Sequence, residues 1–182
     1  MWKVIAIAVL LVGCGNNAQD QVASPKPVIE FENLQRDSWT AQEQANVALV
    51  SEFVQLMMNN HDFDRVLEQH NNDSYVQHNR NLPDGIEGLV GFLQKFVTDY
   101  PAYSYDVKHI YADGEFVVFH SHATLKAEDR GNDQKGMNII DSWRVKDGRI
   151  VEHWDAIQPL DMMMRVYVLL SGGDIRNDNG VF

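Results

Sequence analysis

A single cysteine, Cys14, stands in 182 residues, so no internal disulfide can brace the fold. Cations are also scarce: 15 Lys and Arg face 26 Asp and Glu, a net charge of −11 at neutral pH. That balance repels polyphosphate and argues against nucleic acid or an anionic head-group layer as an electrostatic partner. No apolar run approaches the ~20 residues a membrane-spanning helix needs; Val4–Val12 is the longest. No segment repeats, which excludes a solenoid or propeller. Aromatics nevertheless make up 10% of the chain, enough for a packed globule of one domain.

The amino terminus carries the parts of a secretory signal: Lys3, the short apolar run, and the small residue Gly13 before Cys14. Leu11-Val12-Gly13-Cys14 resembles the lipobox of bacterial lipoproteins. The resemblance implies cleavage before Cys14, diacylation of its thiol and acylation of the new amino terminus. Acyl chains contribute roughly 0.8 kcal/mol per buried methylene, so two or three hold a protein stably at a membrane. Gly15 follows where an Asp would signal retention at an inner membrane. The expected location is therefore the bacterial cell envelope outside the cytosol, on the periplasmic side and at the outer membrane if the host has two. Residues 1–13 read as signal peptide and 14–40 as a lipidated tether, because Gly15–Thr40 is rich in Asn, Gln, Ser and Pro without periodicity. Val28-Ile29-Glu30-Phe31 is the one patch there suited to docking on the domain.

From Ala41 the pattern becomes regular. Ala45, Leu49, Phe53, Leu56 and Met57 recur at helical spacing and predict a helix over about 41–59. Phe63, Val66 and Leu67 predict a second to about Gln69, with His61 and His70 solvated at the helix boundaries. Ser74–His78 reads as a short strand. Asp84 is placed to cap a third helix, Ile86–Asp99, whose face is Leu89, Phe92, Leu93 and Phe96. Beyond Pro101 the period is two: strands over 103–111, 115–126, 136–145 and 150–157, with turns at Asp113-Gly114 and Lys146–Arg149. Helices followed by a strand meander is an α+β pattern. The expected form is a curved antiparallel sheet making a cone-shaped half-barrel, covered by about three N-terminal helices.

Two blocks resemble a known family. Tyr75-Val76-Gln77-His78-Asn79 with Pro83-Asp84-Gly85, Gly88 and Phe92 is similar to the front half of SnoaL-like proteins. Asp141–Asp155 is similar to their back half, and Asn179-Gly180-Val181-Phe182 to their tail. The family lies in the nuclear transport factor 2-like superfamily, and the resemblance covers about 47–159. The domain is therefore set at 41–159, with 160–182 a C-terminal extension in which Leu160–Asp174 has no assigned role.

SnoaL-like founders are polyketide cyclases that close a ring by aldol chemistry, with an aspartate as acid/base and neither metal nor cofactor. The resemblance thus implies Asp141 as general acid/base, with His120 and His122 from a neighbouring strand as donors to the enolate oxygen. It also implies a substrate pocket using Tyr75, His78, Asn79, Trp143, His153, Trp154 and Asp155. His120 and His122 share one strand face. Asp141 pairs with Trp154 if the loop at Asp147-Gly148 has two residues, or with His153, bringing Asp155 to that face, if it has three and a bulge. Burial would raise the Asp141 pKa and a histidinium would lower it. His120-Ser121-His122 could also form half a metal site, though no matching second pair exists. Three functions stay open: a cofactor-free enzyme on a small carbonyl compound, of aldol or isomerase type; a binder of a small apolar ligand; and an interaction module, since such cones often dimerise through the sheet. Polyketide assembly is cytosolic, so the anchor favours an envelope enzyme or binder over a polyketide cyclase.

Overall fold

In the computed structural model, residues 25–171 and 174–181 are described. The expected signal peptide and Cys14 lie outside them. No helix among the described residues is long and apolar enough to cross a membrane.

The first helix, α1 (Ala41–Val54), starts at a capping box: the Thr40 hydroxyl accepts from the Glu43 N–H, and the Glu43 carboxylate accepts from the Thr40 N–H. The same carboxylate accepts the Gly114 N–H at 2.9 Å and so ties the helix to a hairpin tip. The expected run to residue 59 is helical throughout but changes pitch, because Gln55–Asn60 forms one π-helical stretch. It ends at His61, whose φ of 55° places it in the left-handed region. Helix α2 (Phe63–His70) and helix α3 (Gly85–Asp99) follow. Asp84 occupies the residue before α3, but its carboxylate accepts the Gln77 N–H at 2.8 Å and holds the preceding strand. His70 is buried against the edge of Phe53, and His61 contacts the carbonyls of Met58 and Tyr103, so neither is simply solvated.

The strands are β1 (Val76–Gln77), β2 (Ser104–Asp113), β3 (Phe116–Thr124), β4 (Met137–Lys146) and β5 (Arg149–Pro159). They form one curved, unclosed sheet in the order β1-β5-β4-β3-β2, antiparallel except for β1, which runs parallel to β5. Asp147 and Gly148 both have positive φ, 51° and 70°, and make a two-residue hairpin loop. Beyond it the register slips between Arg144 and Val145, leaving Val151 unmatched. Asp141 consequently faces Asp155 and Trp143 faces His153, so the two-residue loop occurs together with a bulge, and His153 and Asp155 lie on the face of Asp141 as the bulged alternative implied.

The concave face of the sheet and the helices enclose the core, built on Phe53, Phe119, Trp143 and Ile139 among the fully buried side chains. Residues before α1 are not a free strand of tether throughout. Ile29, Phe31 and Leu34 pack on the core, and the Ile29 N–H donates to Gln55 at 2.9 Å. At the other end helix α4 (Met162–Ser171) buries Met164. Residues 174–181 then run back along β1.

Candidate active site

On β4 the inward row reads Met137, Ile139, Asp141, Trp143 and Val145, all buried. One carboxylate therefore interrupts an apolar stripe, and strand alternation gives it no route to solvent. Asp141 is 2% exposed and forms part of the wall of a cavity of about 1020 Å³. Burial pushes its pKa up to about 6, opposed by the hydrogen bond and charge of His153 and assisted by the nearby Asp155.

The partner that matters is His153. Its Nε2 lies 3.2 Å from Asp141 Oδ1, and its Nδ1 lies 3.0 Å from Gln77 Oε1. That Gln77 oxygen also accepts the Asn79 N–H at 2.9 Å, which fixes which end of the amide faces the ring. His153 Nδ1 must therefore carry a proton. His153 Nε2 is thereby left to face the Asp141 carboxyl group. Asp141 Oδ2 has no hydrogen-bond partner among the described residues. Trp143 stacks on the imidazole with centroids 5.2 Å apart and completes its packing.

Around this pair stand three buried phenols that line the cavity, Tyr75, Tyr103 and Tyr105. Burial, with the charges of Asp141 and Asp155, holds all three above the ordinary phenol range, so they are donors rather than anions. The Tyr75 oxygen accepts from Gln77 Nε2 at 3.2 Å and keeps its own hydrogen to donate. The rings of Tyr103 and Tyr105 meet edge-on with centroids 5.7 Å apart, and burial keeps both hydroxyls protonated. Asp155 also borders the cavity, held by Asn79 Nδ2 at 2.8 Å from both its oxygens. The tail buttresses this corner: Asn177 Nδ2 donates to the carbonyls of Asn79 and Leu82, and Asn179 Nδ2 to that of Gln77.

The expected site is thus partly assembled and partly divided. Asp141, Tyr75, His78, Asn79, Trp143, His153 and Asp155 all border the cavity. His120 and His122 do not. Phe119 is the residue opposite Asp141, so the histidines on either side of Ser121 point to the other face of the sheet. There His120 Nε2 meets Asn138 Oδ1 at 2.6 Å and His122 Nε2 meets the Lys135 carbonyl at 2.7 Å. Trp154 is on that outer face as well, stacked on His78 with centroids 4.4 Å apart. Gln77, Tyr103 and Tyr105 take the places those residues were expected to fill. For a cation, the one cluster of three or more such ligands among the described residues is Asp141, His153 and Asp155, with donor atoms within 4.8 Å of one another. His120 and His122 have no part in it.

A family model described as a SnoaL-like domain matches residues 50–153. Among solved structures, a candidate polyketide cyclase of Bacillus cereus superposes with a TM-score of 0.56 at 20% identity, covering 75% of this chain and 87% of that one. A candidate SnoaL-like polyketide cyclase of Jannaschia also reaches 0.56, at 15% identity, covering 76% and 100%. AclR of Streptomyces galilaeus, described as a candidate hydroxylase, reaches 0.53 at 20% identity, covering 71% and 97%. At these identities the likeness establishes the fold and not the chemistry. No curated protein matches the sequence.

Proposed function

Since the chain belongs to the SnoaL-like family of the nuclear transport factor 2-like superfamily, we propose that it is a cofactor-free enzyme acting on a small carbonyl compound, with Asp141 as general acid/base. The observation that carries this is the buried Asp141–His153 pair, locked by Gln77 and open to a large, mainly apolar cavity. As carboxylate, Asp141 takes a proton from carbon next to the carbonyl, using the unpartnered Oδ2. The electron pair moves to the carbonyl oxygen, which Tyr75 or Tyr103 stabilises by donating a hydrogen bond. Returning the proton to another carbon gives isomerisation, and attack of the enolate on a second carbonyl gives aldol closure.

The lipobox-like run supports a location at the envelope, with a tether through lipid on Cys14, where a polyketide carrier would not reach the enzyme. A second reading has support from the cavity walls, where Leu89, Phe92, Leu93, Phe96, Ile139 and Val181 present a broad apolar surface. On that reading the domain only binds an apolar molecule. Asp141→Asn separates the two. It is expected to retain an apolar ketone in the cavity while turnover falls about 10²–10⁴-fold; unchanged turnover removes the enzyme reading.

A further inference from the structure

Helix α4 is apolar on almost every side: Arg165 is its only charged residue in Met162–Ser171. One side is accounted for. Met164 is buried in the core, Tyr167 stands edge-on to Tyr100, and Tyr167 and Val168 line the cavity. The other side is a stripe at helical spacing, Met162, Met163, Val166, Leu169 and Leu170, each 43–80% exposed. The helix is pinned in that orientation. Asp161 accepts the Met164 N–H at 3.0 Å and the Gly136 N–H at 3.1 Å, fixing the start of α4 to the start of β4. An anchored helix that presents an apolar stripe to solvent needs a cover.

The path of the chain says which cover. The hairpin tips at Gly114 and Asp147-Gly148 mark one end of the sheet; Ser104, Thr124, Met137 and Pro159 mark the other. Helix α4 follows Pro159 at this second end. The described chain begins there too: Lys26 donates to the Asn59 carbonyl at 2.9 Å, and Asn59 accepts the Tyr105 N–H at 2.8 Å, one residue into β2. From Cys14 to Pro25 the polypeptide can reach at most ~40 Å, about one domain diameter. A lipid at Cys14 therefore keeps the bilayer within constant reach of α4, at an effective concentration that makes even weak insertion productive.

We propose that the outer stripe of α4 docks into the surface of the bilayer that carries the anchor, turning the cavity wall it builds toward the lipid. This rests on the lipid anchor proposed above and is independent of the Asp141 chemistry. The ligand class that follows is an apolar or amphiphilic molecule drawn from the membrane and not from water.

The test uses the full-length lipidated chain in phosphatidylcholine vesicles. With Cys14 acylated, Leu169→Cys offers a single thiol for a polarity-sensitive fluorophore, and Arg149→Cys, exposed at the far hairpin, is the control. Nitroxide-labelled phosphatidylcholine is expected to quench the Leu169 label several times more strongly than the Arg149 label, with a blue-shifted emission. Equal quenching of both by aqueous iodide overturns the docking while leaving the anchor intact. Shielding of the Leu169 label that ignores the nitroxide lipid and disappears on dilution also overturns it, by assigning the stripe to a second copy. Wild-type protein that takes the label at Cys14 and lacks acyl mass overturns the anchor, and the docking with it.

Discussion

Asp141 sits where an anion is costly, and the consequence is measurable apart from any substrate. An unfolded Asp titrates near about 3.9, whereas this one holds its proton to about 6. Between those values the folded chain binds a proton that the unfolded chain does not. Stability must therefore fall as pH rises through that window, by about 2–3 kcal/mol. Asp141→Asn is expected to abolish this component, read by urea unfolding at several pH values between about 4 and 7; an unchanged slope would place the titration elsewhere. Gln77 acts through His153. In Gln77→Leu the His153 Nδ1–H and the Asn79 N–H lose their shared acceptor, which should cost about 1–3 kcal/mol per orphaned group. Turnover should drop with little change in ligand retention. Because Asp141 Oδ1 is committed to His153 and Asp155 to Asn79, added Mn²⁺ or Zn²⁺ is expected to leave the Tm unchanged. A rise that Asp155→Asn cancels would reassign the cluster to a metal.

Helices α1 to α3 were legible from apolar spacing and the polar breaks at their ends; α4 was not, because Met162–Ser171 is apolar on almost every side and shows no clear face. Strand positions were legible too, but not which faces meet. His120 and His122 share a face with each other for a local reason, and their relation to Asp141 depends on the register across the 125–136 connection, which no local pattern encodes. The slip at Val151 sets Asp155 opposite Asp141; the sequence left a bulged and an unbulged hairpin open, and only the bulged one brings His153 and Asp155 to that face. β1 is two residues long and pairs in parallel with β5, so Gln77 offered no sign that it would reach His153. One signal was available: Tyr103 and Tyr105 alternate on a strand as Tyr75 and Gln77 do, which puts phenols on one face. Gly136 shows what holds the β3–β4 register. Its φ is 78°, and a Cβ there would stand 2.2 Å from the Ala123 carbonyl oxygen. Gly136→Ala combines left-handed strain with a backbone clash and should destabilise by about 3 kcal/mol or more, read by thermal unfolding.

Taken together, the molecule encloses a polar corner inside an apolar cone and closes it with its own C-terminal segment. Asn177 and Asn179 brace the β1 corner that carries Gln77 and Asn79, so the last residues support the site although they lie outside the family-matched region. The net negative charge makes electrostatic attraction to anionic lipid weak, so the proposed membrane attachment relies on covalent lipid and an apolar helix face. The family and fold follow from the sequence; the proposed chemistry rests on one carboxylate, its imidazole and the phenols facing them. Deuterium exchange at carbon next to a carbonyl isolates that chemistry without the natural substrate. With α-tetralone in D₂O, followed by proton NMR, the wild-type exchange rate is expected to rise with pH through about 6 and then level, as the Asp141 carboxylate forms. Asp141→Asn is expected to lose about 10²–10⁴-fold in rate and the inflection with it. Equal rates and identical pH profiles in the two proteins would contradict Asp141 as the acid/base.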